Sequence, residues 1–174
     1  KWGKVDERPY GGGPGMVMTA LPVVKALKKA LGKRKGKRVI VWFSPSAKQF
    51  TNKDADALSK FDEVAFVCGR YEGIDARAEK ILKTIAPVKK FAVGEAVYTG
   101  GEVPAMAMVD AITRRIPGVL VKDEAVEERR IASPDTYTRP EVIEWEGKAY
   151  KAPKVLLTGD HAKIEAHRAK KAKK

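Results

Sequence analysis

Residues 38–44 read RVIVWFS and residues 63–69 read EVAFVCG. Each is a continuous run of β-branched and other apolar side chains, without the polar alternation of a half-solvated strand. Strands buried on both faces of a parallel sheet have this composition. Parallel strands need crossovers, and the sequence around them supplies helical patterns. Between Pro22 and Leu31 the apolar residues Val23, Val24, Leu27, Ala30 and Leu31 recur with a helical period, behind a proline that suits a helix start. Short helices are predicted over 51–61 and 74–85, a third strand over 91–99, and a helix over 103–116 that Pro117-Gly118 stops. Strand–helix alternation of this kind defines an α/β fold with a mostly parallel sheet flanked by helices.

After Leu120 the character changes. Residues 122–136 form a charged connector, and EWEGKAYKAPKVLLTGDH reads as a hairpin around Glu146-Gly147 with a helix beginning near His161. No internal repeat appears. At 174 residues the chain suits one compact domain with a short extension.

Lys+Arg 35 against Asp+Glu 22 gives a formal charge of +13, which argues for a polyanionic partner. The cations are clustered. Lys25 to Arg38 holds eight of them and no acid, and the C-terminal HRAKKAKK is a second basic cluster. The competing reading is a solvated surface with a frayed tail. No apolar run approaches the ~20 residues of a membrane span, so no membrane partner is expected. Cys68 is the only cysteine, which excludes an internal disulfide and a cysteine-based zinc cluster; it reads as a small buried hydrophobe. His161 and His167 lack the i, i+4 spacing of helical metal ligands, and no metal site is expected. A cytoplasmic location is the reading that follows.

Each strand run ends in a loop with turn chemistry: Ser44-Pro45, then GRYEGID (69–75), then the double glycine of VGEAVYTGGEVPAM (93–106). Ligands of open α/β sheets bind at the carboxyl ends of the strands. A glycine turn opening a helix is an anion cradle when Lys-Ser/Thr follows, but here Glu102 follows Gly100-Gly101. A carboxylate at the mouth would repel a phosphate, so the ligand expected is neutral or cationic. PYGGGPG (9–15) cannot be an interior strand or helix and adds a further glycine loop.

Five segments in order, RPYGGGPGM (8–16), CGRYEGIDAR (68–77), VGEAVYTGGEVPAM (93–106), DAITRRIPGVL (110–120) and YTRPEV (137–142), resemble the bacterial tRNA (guanine-N1)-methyltransferases of the TrmD type. These belong to the SPOUT class, whose sheet carries a deep trefoil knot on its C-terminal side. The resemblance covers nearly the whole chain. It implies a homodimer that methylates the guanosine 3′ of the anticodon in tRNA with S-adenosylmethionine, a sulfonium cation that glycine loops can wrap through backbone groups. It further implies that Trp42, Phe43, Ser44, Pro45, Gly69, Tyr71, Glu72, Val93, Gly94, Glu95, Ala96, Val97, Tyr98, Gly100, Gly101 and Pro104 line the cofactor pocket. For Trp42 and Tyr98, core packing is the competing reading. Ala96 and Tyr98 stand where the family more usually has Tyr and Leu. The loop 9–15 would cover the cofactor and a flipped-out guanine.

Methylation at N1 needs a cation against the charge that builds on guanine O6 and a carboxylate to take the proton. Arg114 occupies the family's catalytic arginine position, while Arg115 beside it reads as a surface helix arginine. Where the family carries Glu-Glu-Asp-Ser, this chain has Glu127-Glu128-Arg129-Arg130, so an ungapped match puts Arg129 at the base's position. An arginine stays protonated and cannot serve. Glu128 is the expected base, ahead of Asp135 and Glu127, and would act across the dimer. Magnesium is a helper by resemblance only. The organisation expected is a knotted cofactor-binding domain over 1–121 without the family's first strand and helix, a connector over 122–136, and a shortened extension with a basic tail over 137–174. A knotted methyltransferase for another RNA site, or a non-catalytic basic RNA-binding protein, are the competing functions.

Overall fold

A computed structural model describes residues 3–33, 35–120 and 135–172. Internal contacts divide the chain into two units, Lys1–Leu120 and Val121–Lys174.

The first unit is built on a three-stranded parallel sheet. Its strands are β3 (Arg38–Phe43), β4 (Glu63–Val67) and β5 (Val88–Phe91), in the order β4-β3-β5. Arg38 pairs with Glu63 and Trp42 with Val67 on one side; Ile40 pairs with Val88 and Phe43 with Phe91 on the other. Alternate residues of β3 serve opposite faces, as the pleat dictates. Ile40 and Trp42 enter a core with Val24, Leu27 and Leu31 of α1 (Ala20–Leu31) and Ala78 and Leu82 of α3 (Ala76–Leu82). Val39 and Val41 pack with Ala55 and Leu58 of α2 (Asn52–Leu58) and Met108 and Ile112 of α4 (Glu102–Thr113). The result is helix–sheet–helix layering in which both faces of β3 are dry, and that is why its run lacks polar alternation.

Local chemistry sets the helix ends. Thr51 and Asp54 form a reciprocal capping box on α2. The Asp75 carboxylate caps α3 by accepting from the Arg77 N–H. α1 ends at Gly32 (φ 54°).

One expectation is corrected. The third strand occupies 88–91, not 91–99. Register with β3 fixes it there, and beyond Phe91 only an isolated bridge from Ala92 to Gln49 continues the pairing. Gly94, at φ 71°, turns the chain out of extended conformation. In addition, β1 (Asp6–Glu7) and β2 (Val17–Met18) pair antiparallel at the base of the glycine loop, with Asp6 opposite Met18, strands too short to carry a sequence signal.

The second unit contains the expected hairpin, β6 (Val142–Trp145) and β7 (Lys148–Lys151), turning at Glu146-Gly147. A 3-10 turn over Lys154–Leu157 and the helix α5 (His161–Ala172) follow.

Candidate active site

The loops leaving the carboxyl ends of β3, β4 and β5 are stitched together by backbone hydrogen bonds. After β3, the Ser44 N–H donates to the Phe91 carbonyl (3.1 Å) and the Phe50 N–H to the Ala92 carbonyl (2.8 Å). The Gln49 side-chain amide donates to the Gly94 carbonyl (3.0 Å). After β4, the Gly101 N–H donates to the Gly69 carbonyl (3.0 Å), and Arg70 forms a bridge with Gly100. One continuous rim thus runs from Ser44 through Gly69 to Gly101.

Gly101 holds the tightest point of that rim. A Cβ there would lie 2.7 Å from the Cys68 Cα and 3.0 Å from the Phe43 ring, so only glycine lets the start of α4 sit against the end of β4. Gly100 faces a softer neighbourhood, the side chains of Glu102 and Arg70. Those two form an ion pair at 3.0 Å beside the turn. Glu102 therefore does stand at the mouth, but an arginine partly neutralises it.

The glycine loop is joined to the same rim. The Glu72 N–H donates to the Met16 carbonyl (3.0 Å), the Met18 N–H to the Gly73 carbonyl (2.9 Å), and the Asp75 N–H to the Met18 carbonyl (2.9 Å). The Glu72 side chain lies where a Cβ on Gly15 would stand, 2.6 Å from its Oε1. Gly11, Gly12 and Gly13 all have positive φ and open space beside them. Their glycines answer to backbone conformation, not to crowding.

The sequence-predicted pocket residues separate into two groups. Ser44, Gly69, Tyr71, Glu72, Gly94, Glu95, Ala96, Val97, Tyr98, Gly100 and Gly101 lie on the rim or its loops. Tyr71 (62% exposed, φ 58°) and Val97 (80% exposed) present their side chains to solvent. Pro45 is exposed beside Ser44. Trp42 and Pro104 are buried packing residues. Phe43 stacks on Phe66 with ring centroids 6.1 Å apart, and Val93 packs against the α2–α4 core. The Cys68 thiol is half-buried; burial first and the Glu102 charge second push its pKa up, so it stays neutral and behaves as a small apolar group.

Arg114 is the C-cap of α4 and half-buried. The surface reading of Arg115 is corrected: it is buried, with its side chain 2% exposed. Its Nε lies 3.0 Å from Asp56 Oδ1, an ion pair without hydrogen-bond alignment, and its Nη1 donates to the Ala111 carbonyl. Sequence reasoning missed this tie between α2 and α4 because a double arginine before Pro-Gly looks like solvent-facing charge. Glu128 and Glu127 lie outside the described residues; Asp135 is described and exposed. Among the described residues no group of three or more His, Cys, Asp or Glu side chains could hold a metal ion.

The glycine loops of this α/β protein are gathered at the carboxyl ends of its parallel strands, where open α/β sheets bind their ligands. The chain belongs to the tRNA (guanine-1)-methyltransferase TrmD family, whose model matches residues 1–174. A tRNA (guanine-N(1)-)-methyltransferase of Buchnera aphidicola subsp. Schizaphis graminum is 39% identical over 176 residues, covering 99% of this chain and 64% of that protein. The enzyme of that name from Thermomicrobium roseum is 40% identical, over 92% of this chain and 58% of its own. The one from Clostridium perfringens is 42% identical, over 97% and 69%. The chain thus spans less than two thirds of the length of the first two relatives.

Proposed function

We propose that the protein transfers a methyl group from S-adenosylmethionine to N1 of the guanosine 3′ of the anticodon in tRNA. The observation that carries this reading is the stitched rim from Ser44 to Gly101, in a chain that its family's model matches from end to end. The donor set fits the cofactor. Backbone N–H and C=O groups of the 92–100 loop suit an adenine and an amino-acid end, while Glu72 suits a sulfonium charge. The absence of a phosphate-loop lysine fits a ligand without phosphate. Trp42 and Pro104 would contribute through backbone and packing only. When bound, S-adenosylmethionine supplies an electrophilic methyl group.

The chain's own residues would do the rest. The 9–15 loop would hold the guanine against the rim, with Tyr71 on the cofactor side. The Arg114 guanidinium would neutralise charge building on O6. A carboxylate, Glu128 in this proposal, would take the N1 proton. Magnesium, implied by the resemblance alone, is given no residue in this proposal. The deep trefoil knot, the division at 1–121, 122–136 and 137–174, and a cytoplasmic location belong to the same proposal. Among the described residues no helix is long and apolar enough to cross a membrane.

The helix geometry supports a homodimer. Gly101 and Arg114 cap opposite ends of α4, about 20 Å apart at 1.5 Å per residue. That distance exceeds the reach of an arginine side chain, so one copy does not bring its own Arg114 to its Gly101 end. The solvent face of α4 carries Val103, Met106 and Val109, 58%, 71% and 45% exposed, an apolar stripe suited to a second copy. A two-fold axis across that stripe sets two α4 helices antiparallel, each arginine end beside the other glycine end.

The test is transfer of labelled methyl from S-adenosylmethionine to an anticodon-stem transcript, with guanosine replaced by adenosine in a control. Incorporation into the first alone is expected. Equal or absent incorporation would overturn the proposal.

A further inference from the structure

We infer that the exposed face of α1 and the turn after it bind the phosphate backbone of the RNA, a surface separate from the rim that would hold cofactor and target base. The inference rests on the RNA substrate proposed above. The chain carries no acidic residue between Glu7 and Asp54. Folding turns that gap into a surface. Ala20, Val24, Leu27 and Leu31 point α1 into the core, which leaves Lys25, Lys28 and Lys29 together on its solvent side. Lys25 and Lys29 are one turn apart, about 6 Å along the axis. Lys33 and Lys35 extend the exposed charge past Gly32.

The contrast with the rest of the unit is what identifies a binding surface. Elsewhere many cations are matched, among them Lys48 with Asp54, Arg77 with Asp75, and Lys83 and Lys90 with Glu79, and the unmatched ones are not gathered on one helix face without an acid. No carboxylate of the described residues forms an ion pair with Lys25, Lys28, Lys29, Lys33 or Lys35. A solvated helix face usually carries opposite charges at i, i+4, whereas Lys25 and Lys29 are like charges at that spacing and repel. A row of phosphates would relieve that repulsion and release counterions. Helix-dipole compensation accounts for Lys28 and Lys29 in the last turn but not for Lys25, Lys33 or Lys35. A membrane surface fits less well, because the apolar face of α1 is occupied by the core and only Leu21 is left as a large exposed apolar side chain on the helix.

The test compares the full chain with Lys25→Gln/Lys28→Gln/Lys29→Gln and with a charge-matched control, Lys60→Gln/Lys83→Gln/Lys90→Gln. The probe is an unmodified tRNA transcript, and binding is read by fluorescence anisotropy across a salt series. The first variant is expected to bind ~10–100-fold more weakly at 0.1 M salt, with the slope of log K against log salt reduced by about 2. Its S-adenosylmethionine affinity and circular dichroism should match the parent. The control should keep most of its affinity. Equal losses in both variants would reduce the effect to net charge and overturn the inference, as would an unchanged slope in a folded first variant. Anionic phosphatidylserine vesicles serve as the rival partner; lipid binding lost in the first variant with tRNA binding intact would also overturn it. Because the readout is binding, a failure of methyl transfer would sink the proposed activity and leave this measurement standing.

Discussion

Two adjacent glycines and two adjacent arginines show how neighbouring residues of one kind can take different work. Gly101 is set by close approach to backbone, since the Cys68 Cα cannot yield to a new Cβ at 2.7 Å. Gly100 meets only movable side-chain ends. Gly101→Ala should therefore destabilise the chain by about 1–3 kcal/mol and weaken cofactor binding, while Gly100→Ala should mainly disturb the Arg70–Glu102 pair. Denaturant unfolding of both variants checks this, and equal stabilities would refute it. For the arginines, Arg114→Ala should lower turnover by ~10²-fold or more with cofactor affinity retained. Arg115→Ala should instead act on stability, costing on the order of 2–4 kcal/mol, the lower end being favoured because Asp56 is half exposed. Single-turnover rates and melting curves for the two variants separate these roles.

At the scale of elements, legibility followed the source of each element's stability. β3 and β4 could be read because burial on both faces leaves an unbroken apolar run. The sequence pattern misplaces β5 because its own sequence, VKKF, carries two lysines, while the loop after it carries the β-branched and aromatic residues of VGEAVYT. What places β5 is hydrogen bonding to β3 and the turn at Gly94, neither of which leaves a pattern in composition. The rim was legible as three turn-forming loops, but the bonds joining them were not, since they pair residues such as Gln49 and Gly94 that are far apart in sequence. The cap of α3 gives a pH prediction at this scale. Hydrogen bonds from the Arg77 side chain, then from its backbone N–H, hold the Asp75 carboxyl down to about 2 from an ordinary 3.8. A depressed folded-state pKa stabilises above the unfolded value, and that stabilisation is lost as pH falls from about 4 toward 2. NMR titration should find the Asp75 midpoint near 2. Arg77→Ala should raise it toward 3.8, and an unmoved midpoint would show that the guanidinium is not the cause.

At the scale of the whole molecule, the proposed dimer requires that two copies complete each site. One copy separates Gly101 from Arg114 by the length of α4, and the exposed apolar stripe of that helix would be the seam of the proposed dimer. Glutamate at two stripe positions, Met106→Glu/Val109→Glu, puts charge where packing is required and should turn a dimer into a folded monomer. Sedimentation equilibrium would read the halved mass, and methyl transfer should be lost while the separate chain keeps its secondary structure. Mixing variants is the sharper test. An Arg114→Ala chain keeps an intact rim but lacks the arginine; a Gly101→Ala chain keeps the arginine but has a damaged rim. Each alone should be nearly inactive. If arginine and rim come from different copies, a mixed dimer contains one site with both intact, and activity should return when the two are unfolded together and refolded. A mixture that exchanges subunits yet stays inactive would mean that each copy serves its own site, and the antiparallel arrangement would have to be abandoned.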